Sequence, residues 1–185
     1  MVNYELRSTF YLRTHNSQFT IHNSQFMYRI GSGVDFHQLA EGRDLWIGGI
    51  HIPHHKGAVG HSDADVLLHA ICDALLGALS LGDIGVHFPD TNEDYKNIAS
   101  VILLERTYKL IVKEEYRVVN IDSTVCLQTP KIIPYASQMK KIIAGILNIK
   151  ENDISIKATT TEQLGFAGRG EGLMATATVL LEQVH

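Results

Sequence analysis

Apolar positions recur along the chain with two periods, and the switch between them marks its elements. Residues 28–37 (YRIGSGVDFH) alternate and are rich in β-formers, which predicts a strand. LWIGGIHIP at 45–53 predicts two short strands around a Gly48-Gly49 turn. Residues 63–80 are mostly apolar and predict the first helix, with Ser62 as N-cap and Asp65 closing a capping-box-like pair. Gly82 and Gly85 then punctuate a loop through HFPDT. Helical spacing returns at Ile98, Val101, Ile102, Leu104, Leu110 and Ile111, predicting a second helix over 97–115. YRVVNIDSTVCLQ predicts a long strand over 116–128, and 134–148 a third helix after Pro130. ISIKATTT (154–161) and GLMATATVLLEQV (172–184) predict the last strands, parted by the glycine-rich turn GFAGRGEG. Strands alternating with helices, with some hairpin pairing, predict an α/β domain of two-layer, α+β-like build: a mixed sheet with helices packed on one face.

The first 26 residues lack this order. HNSQF occurs at 15–19 and again at 22–26, a polar repeat with no steady apolar period. The segment reads either as a flexible extension or as sequence upstream of a true start at Met27. Fold reasoning therefore begins there, with a single domain over 27–185. Composition adds bounds: 45% apolar and 19% charged residues describe an ordinary soluble globule. A net charge of −4 gives no reason to expect nucleic acid. No uncharged apolar run reaches the roughly 18 residues of a membrane span, and the N-terminus lacks a signal-peptide layout. Cys72 and Cys126 sit in apolar patterns and read as reduced core residues, so the expected compartment is the cytoplasm.

Against this background one helix is out of character. Asp65, His69 and Asp73 recur every four residues, and four residues turn about 400°, so they share one stripe of an otherwise apolar helix. The bland reading is a core histidine bonded to a carboxylate one turn away. Company argues for more: His61 and Asp63 flank the helix start, and Asp35 and His37, two apart on a strand, point to the same face. A D-x-H pair plus one helical histidine supplies three N/O donors, the ligand count of a catalytic zinc site with an open fourth position. His61 reads either as a further ligand or, at a helix N-terminus, as an anion contact. A second polar group closes the chain. Thr159, Thr160, Thr161 and Glu162 at a strand end offer hydroxyls, backbone amides and one hard carboxylate, which suit phosphate and magnesium. Gly165, Gly168, Gly170 and Gly172 permit close approach, and Arg169 offers a fork for phosphate; a capped turn with a surface arginine is the plainer alternative.

RIGSGVDFH, GHSDADVLLHAICDALLGALSLGDIGVHFPDT, TPKIIP and IKATTTEQLGFAGRGEG follow one another from Met27 to near the C-terminus. Together they resemble the 2-C-methyl-D-erythritol 2,4-cyclodiphosphate synthases of the non-mevalonate isoprenoid pathway. The resemblance implies a homotrimeric phosphorus–oxygen lyase with active sites between subunits. It implies closure of 4-diphosphocytidyl-2-C-methyl-D-erythritol 2-phosphate to the cyclic diphosphate with loss of CMP. Carried over residue by residue, Asp35, His37 and His69 hold zinc, and Asp35, Phe36 and His37 line the substrate. His61 and Ser62 contact substrate phosphate, and His61 and Thr160 stabilise the crowded phosphorus. Asp83, Ile84 and Gly85 match the loop that holds the erythritol hydroxyls; Phe88, Pro89, Asp90, Thr91 and Asn92 line the same pocket. Leu127, Gln128, Thr129, Pro130, Lys131, Ile132 and Ile133 match the cytidine pocket, reached from the neighbouring chain. Thr159, Thr160, Thr161 and Glu162 match the diphosphate-binding strand end, with Glu162 on magnesium or manganese. Phe166 and Arg169 match positions near the threefold axis, where some members hold an isoprenoid diphosphate. The chain departs from the family at Ser32, often histidine there, and at Thr129, elsewhere alanine.

The chemistry is self-consistent. The substrate's own 2-phosphate is the nucleophile, so no Ser, Cys or Lys nucleophile is required; the protein must align two phosphates and offset their charge. Two other classes remain open on sequence. A zinc hydrolase would need a base near the metal, for which Asp63 and Asp65 are the local candidates. A non-catalytic trimeric module would use the polar stripe structurally and bind no metal.

Overall fold

The sheet is built around β1 (Tyr28–Glu41), whose alternation carries on beyond the expected end. The structure, a computed structural model, describes residues 27–92, 95 and 97–184; the expectation for residues 1–26 lies outside these. β2 (Leu45–Ile47) and β3 (Ile50–Ile52) form the expected hairpin, with Gly48 and Gly49 at φ +63° and +77°, as a tight two-residue turn requires. β4 (Lys56–Val59) pairs with the end of β1 and was not foreseen. β5 (Tyr116–Cys126), β6 (Ile154–Thr159) and β7 (Gly172–Gln183) complete a five-stranded sheet in the order β4-β1-β7-β5-β6. Among the described residues only β5 and β6 run parallel, so the sheet is mixed as expected.

The three long helices are α1 (Val66–Ala78), α3 (Ser100–Lys113) and α4 (Ala136–Leu147); α2 (Ile84–His87) and α5 (Gly165–Gly168) are single turns where loops were expected. α1 packs across β1 and β7, α3 against α1 and β5, and α4 against α3 and β6, forming one layer. Cross-strand rows show which face they cover. Gly33, Ala177, Ser123 and Ile156 pair in succession and turn toward the helices. Val34, Thr176, Thr124 and Lys157 form the opposite row. That outer face keeps Ile30 72% and Phe36 53% exposed.

α1 starts later than expected. Ala64 takes a left-handed φ of +56°, which interrupts the helix, and the Ser62 hydroxyl is used in accepting the Ala64 N–H at 3.0 Å. Asp65 therefore caps instead, its Oδ1 accepting the Leu68 N–H at 3.1 Å. The same buried carboxylate accepts the Gly48 and Gly49 N–H groups at 2.9 and 2.7 Å, pinning the β2–β3 hairpin onto the helix start. Leu67, Leu68, Ile71, Leu75 and Leu76 are fully buried, each contributing about 1.5–3 kcal/mol of apolar burial.

Candidate active site

Two glycines decide how close α1 comes to β1. A Cβ on Gly31 would lie 1.9 Å from the Ala74 carbonyl oxygen, and one on Gly33 would lie 2.1 Å from that of Ala70. Only a strand bare at these two inward positions lets the helix backbone settle there. One helical turn before Ala74 stands Ala70, and its neighbour His69 is thereby carried to the next inward residues of the strand, Asp35 and His37.

The result is a triangle of donors. Asp35 Oδ2 lies 2.9 Å from His37 Nε2 and 3.0 Å from His69 Nδ1, and the two ring nitrogens are 3.1 Å apart. These three are the one cluster of potential metal donors among the described residues. Tetrahedral zinc with ligands at about 2.0–2.2 Å places neighbouring donors about 3.3 Å apart. The observed edges fit that with an expansion of a few tenths of an ångström. His37 Nδ1 lies 3.0 Å from the Val59 carbonyl, which can only accept, so Nδ1 bears a proton and Nε2 is the atom turned to Asp35 and to a metal. Burial pushes the Asp35 carboxyl up, but hydrogen bonds and charge from His37 and His69 outweigh it and hold the group well below the usual carboxylate range. Burial pulls His69 down, and its bond to Asp35 more than restores it, leaving the ring raised. The carboxylate partner of His69 is thus Asp35 on the strand. The alternative of a bond one turn away fails because Asp65 caps the helix and Asp73 accepts the Ile84 N–H at 2.8 Å.

Other expected residues lie before α1 and after it. His61 precedes α1, and its buried Nε2 has no hydrogen-bond partner among the described residues. Ser62 Oγ is 3.1 Å from His69 Nε2. The helix N-terminus itself does not serve an anion, because the Asp65 carboxylate already occupies it. Asp83 caps α2 through Val86 N–H at 3.0 Å, and Asp73 ties the same turn, with Ile84 and Gly85, to α1. Phe88 ends α2 and meets Tyr95 edge-on at 5.6 Å; Pro89, Asp90, Thr91 and Asn92 follow in a turn closed by Asn92 N–H to the Pro89 carbonyl.

The remaining expected residues gather elsewhere. Leu127 N–H donates to the Thr159 carbonyl at 3.0 Å, joining the 127–133 segment to the end of β6. Leu127 and Ile132 point into the core, while Lys131 and Ile133 are exposed. Thr160 Oγ1 donates to Glu162 Oε1 at 2.6 Å, and Glu162 and Gln163 both hold left-handed φ values of +51° and +67°. That turn packs on Gly168, where a Cβ would meet the Gln163 backbone at 2.1 Å. Thr161 Oγ1 caps the same turn at the Leu164 carbonyl. Arg169 is forked onto Glu171 with both contacts at 2.9 Å, and Phe166 meets Phe36 on the outer face with ring centroids 5.9 Å apart and the rings tilted by 59°. Phe36, Met174, Cys126 and Thr159 are successive cross-strand neighbours. The β6 end is therefore three strand spacings, about 14 Å, from the donor triangle's strand. One chain thus presents two separate polar groups.

Sequence reasoning missed Ser100, the first residue of α3. Its Oγ lies 2.9 Å from His69 Nε2, and its N–H and O–H both go to the Asp63 carboxylate. No sequence signal marked it. These bonds also engage both candidate hydrolase bases: Asp63 accepts from Ser100 through each of its oxygens, and Asp65 from three backbone N–H groups.

Comparison with known proteins bears on all of this. The YgbB family matches residues 28–182. A Bacteroides thetaiotaomicron protein named 2-C-methyl-D-erythritol 2,4-cyclodiphosphate synthase is 58% identical over 155 residues, 84% of this chain and 98% of that one. The bifunctional IspDF of Campylobacter jejuni superposes with a TM-score of 0.82 at 41% identity, over 85% of this chain and 43% of that one. IspF of Plasmodium falciparum, solved as a CDP complex, gives 0.75 at 36% identity over 85% and 97%. With the donor triangle, the two-layer fold and a relative of this identity matched along nearly its whole length, the chain belongs to the YgbB family, that of the 2-C-methyl-D-erythritol 2,4-cyclodiphosphate synthases.

Proposed function

We propose that residues 27–185 form a single catalytic domain that cyclises 4-diphosphocytidyl-2-C-methyl-D-erythritol 2-phosphate to 2-C-methyl-D-erythritol 2,4-cyclodiphosphate, releasing CMP. The observation that carries the reading is the donor triangle of Asp35, His37 and His69, with the Ser62 hydroxyl 3.1 Å from His69 Nε2. These three residues would hold zinc, and Glu162 magnesium or manganese; when bound, the cations offset phosphate charge and act as Lewis acids. The 2-phosphate oxygen attacks the β-phosphorus, a new P–O bond forms, and the bridging oxygen leaves with CMP. No water is consumed.

The chain's own groups supply alignment. His61 Nε2 and the Ser62 hydroxyl face the phosphates, and Thr160 stabilises the crowded phosphorus by hydrogen bonding. Asp83, Ile84 and Gly85 hold the erythritol hydroxyls, and Phe88 to Asn92 close that pocket. The cytidine sits on 127–133, chiefly on backbone groups, because Leu127 and Ile132 are committed to the core. The CDP bound by the Plasmodium falciparum relative supports a cytidine nucleotide as ligand.

The three strand spacings between the β6 end and β1 support assembly between subunits, the metal half from one chain and the cytidine half from its neighbour. The outer sheet face, with Ile30, Val34 and Phe36 exposed, is the surface a homotrimer would cover, and Phe166 and Arg169 would then line its axis, open to an isoprenoid diphosphate. No helix among the described residues is long and apolar enough to cross a membrane, and two buried, unpaired cysteines accord with a reducing cytoplasm. The test is to incubate the protein with the cytidyl substrate, zinc and magnesium: CMP and the cyclic diphosphate are expected in equal amounts. A linear product would overturn the proposal.

A further inference from the structure

We infer that Asp63 and Ser100 are positioning residues that hold the His69 ring in the one tautomer able to bind a metal through Nδ1. The inference rests on the zinc reading above. A neutral imidazole carries one ring proton, and a lone pair at Nδ1 requires that proton at Nε2. Nδ1 is the atom that faces Asp35 and His37, at 3.0 and 3.1 Å. Without a metal Nδ1 keeps a proton toward the Asp35 carboxylate; when a metal takes that proton's place, what lies at Nε2 decides whether the remaining ring proton has a seat.

Two hydroxyls lie there, and they are not equivalent. Ser100 Oγ is 2.9 Å from Nε2 and gives its only proton to Asp63 Oδ1. With that proton committed, the oxygen can only accept, so it demands an N–H at Nε2. The opposite tautomer would set two lone pairs against each other at a site where Ser100 is fully buried. Ser62 Oγ, 3.1 Å from Nε2, accepts the Ala64 N–H and has no other fixed acceptor for its own proton among the described residues, so it tolerates either tautomer. Its free O–H suits the phosphate role given to it above.

The Asp63 carboxylate is held in turn. Oδ2 accepts the Ser100 N–H at 2.9 Å, and Oδ1 accepts the Asp65 N–H at 3.3 Å. The two segments are also laced by backbone: Asp63 N–H to the Ile98 carbonyl at 3.2 Å and Asn97 N–H to that of His61 at 2.7 Å. The loop before α1 and the first turn of α3 form one frame, and its output is a carboxylate–hydroxyl–imidazole chain ending at the donor triangle. Outer partners that orient a ligating histidine typically change metal affinity ten- to a hundredfold when removed.

The experiment measures zinc dissociation constants by competition with a chromophoric chelator for wild type, Ser100→Ala and Asp63→Asn, with thermal unfolding to establish that each is folded. Ser100→Ala leaves the His69 N–H with Ser62 alone. Asp63→Asn turns an obligate acceptor into a group that can donate to Ser100, releasing the serine proton toward Nε2. Both are expected to bind zinc about ten- to a hundredfold more weakly. Nitrogen-15 spectra of the zinc-loaded wild type are expected to show His69 Nδ1 metal-bound and Nε2 protonated, a signature a merely structural contact would not produce. Zinc affinity within twofold of wild type in both folded variants overturns the positioning role alone. A His69 that binds through Nε2 overturns it without recourse to variants. A wild-type chain that takes up no zinc removes the metal reading itself, and this inference with it.

Discussion

Gly33→Ala tests whether the approach of α1 to β1 builds the metal site. The new Cβ would lie 2.1 Å from the Ala70 carbonyl oxygen, 2.7 Å from Ala74 N and 2.9 Å from Asp73 Cβ. Two of these are backbone atoms of a buried helix, so no side chain can swing aside. To reach even 3.0 Å the helix must retreat by about 0.9 Å, which stretches the 3.0 Å Asp35–His69 contact to about 3.9 Å, beyond hydrogen bonding. Overpacking of this kind costs about 3 kcal/mol, lowering the melting temperature by about 6–12 °C in a chain of this size. Losing one of three ligands should also weaken zinc binding more than tenfold. Gly77→Ala, on the exposed side of the same helix, is the control. Its Cβ meets nothing nearer than the Ser32 carbonyl at 3.8 Å, and removing a mid-helix glycine should stabilise by about 0.5–1 kcal/mol. Thermal unfolding and zinc titration of both variants decide the matter. If Gly33→Ala keeps its melting temperature within about 2 °C and its zinc affinity unchanged, the close approach is not what builds the site.

Three further outcomes are expected. Glu162→Gln should keep zinc and, since the amide oxygen can still accept from Thr160, change stability by no more than about 0.5 kcal/mol; the dependence of activity on magnesium or manganese should weaken, whereas loss of zinc would move Glu162 to the other site. Mixing inactive His69→Ala with inactive Lys131→Ala chains under subunit exchange should restore about a quarter of the sites at equal ratio, and no recovery despite exchange would mean each site is built from one chain. The Cys72 thiol, pushed up to about 12 by burial, should resist alkylation at pH 8 until the protein unfolds. In the unfolded chain that thiol ionises near pH 9 while the folded one keeps its proton, so stability falls as pH rises from about 9 toward 12, by at most about 1.4 kcal/mol per unit. Cys72→Ala should show a shallower decline, and equal slopes would refute the assignment.

Much of the fold is legible because its periods are clean. Val66–Ala78 is apolar outside its one polar stripe and long, which distinguishes it from a strand, and the alternation in β1 and β7 runs far beyond any local ambiguity. The Gly48-Gly49 hairpin follows from turn chemistry alone. What was missed depends on contacts distant in sequence. β4 is four residues long and exists because it pairs with the end of β1. Ser62 is a plausible cap until Ala64 adopts a left-handed conformation that no local rule demands of alanine. The site divides in the same way. Asp35, His37 and His69 are readable from a two-residue and a four-residue period, with Gly31 and Gly33 hinting at close packing. Ser100 is unreadable, because its role comes from the fold of a segment 31 residues further along.

The central claim is that one substrate phosphate attacks the other without water, at a site where the carboxylates at the helix start, Asp63 and Asp65, are already engaged by hydrogen bonds. Turnover in oxygen-18 water tests it directly. The account predicts a cyclic diphosphate and CMP that both carry no solvent oxygen, by mass spectrometry and phosphorus-31 isotope shifts. Incorporation of one oxygen-18 per turnover into either product would mean hydrolysis, and would contradict it.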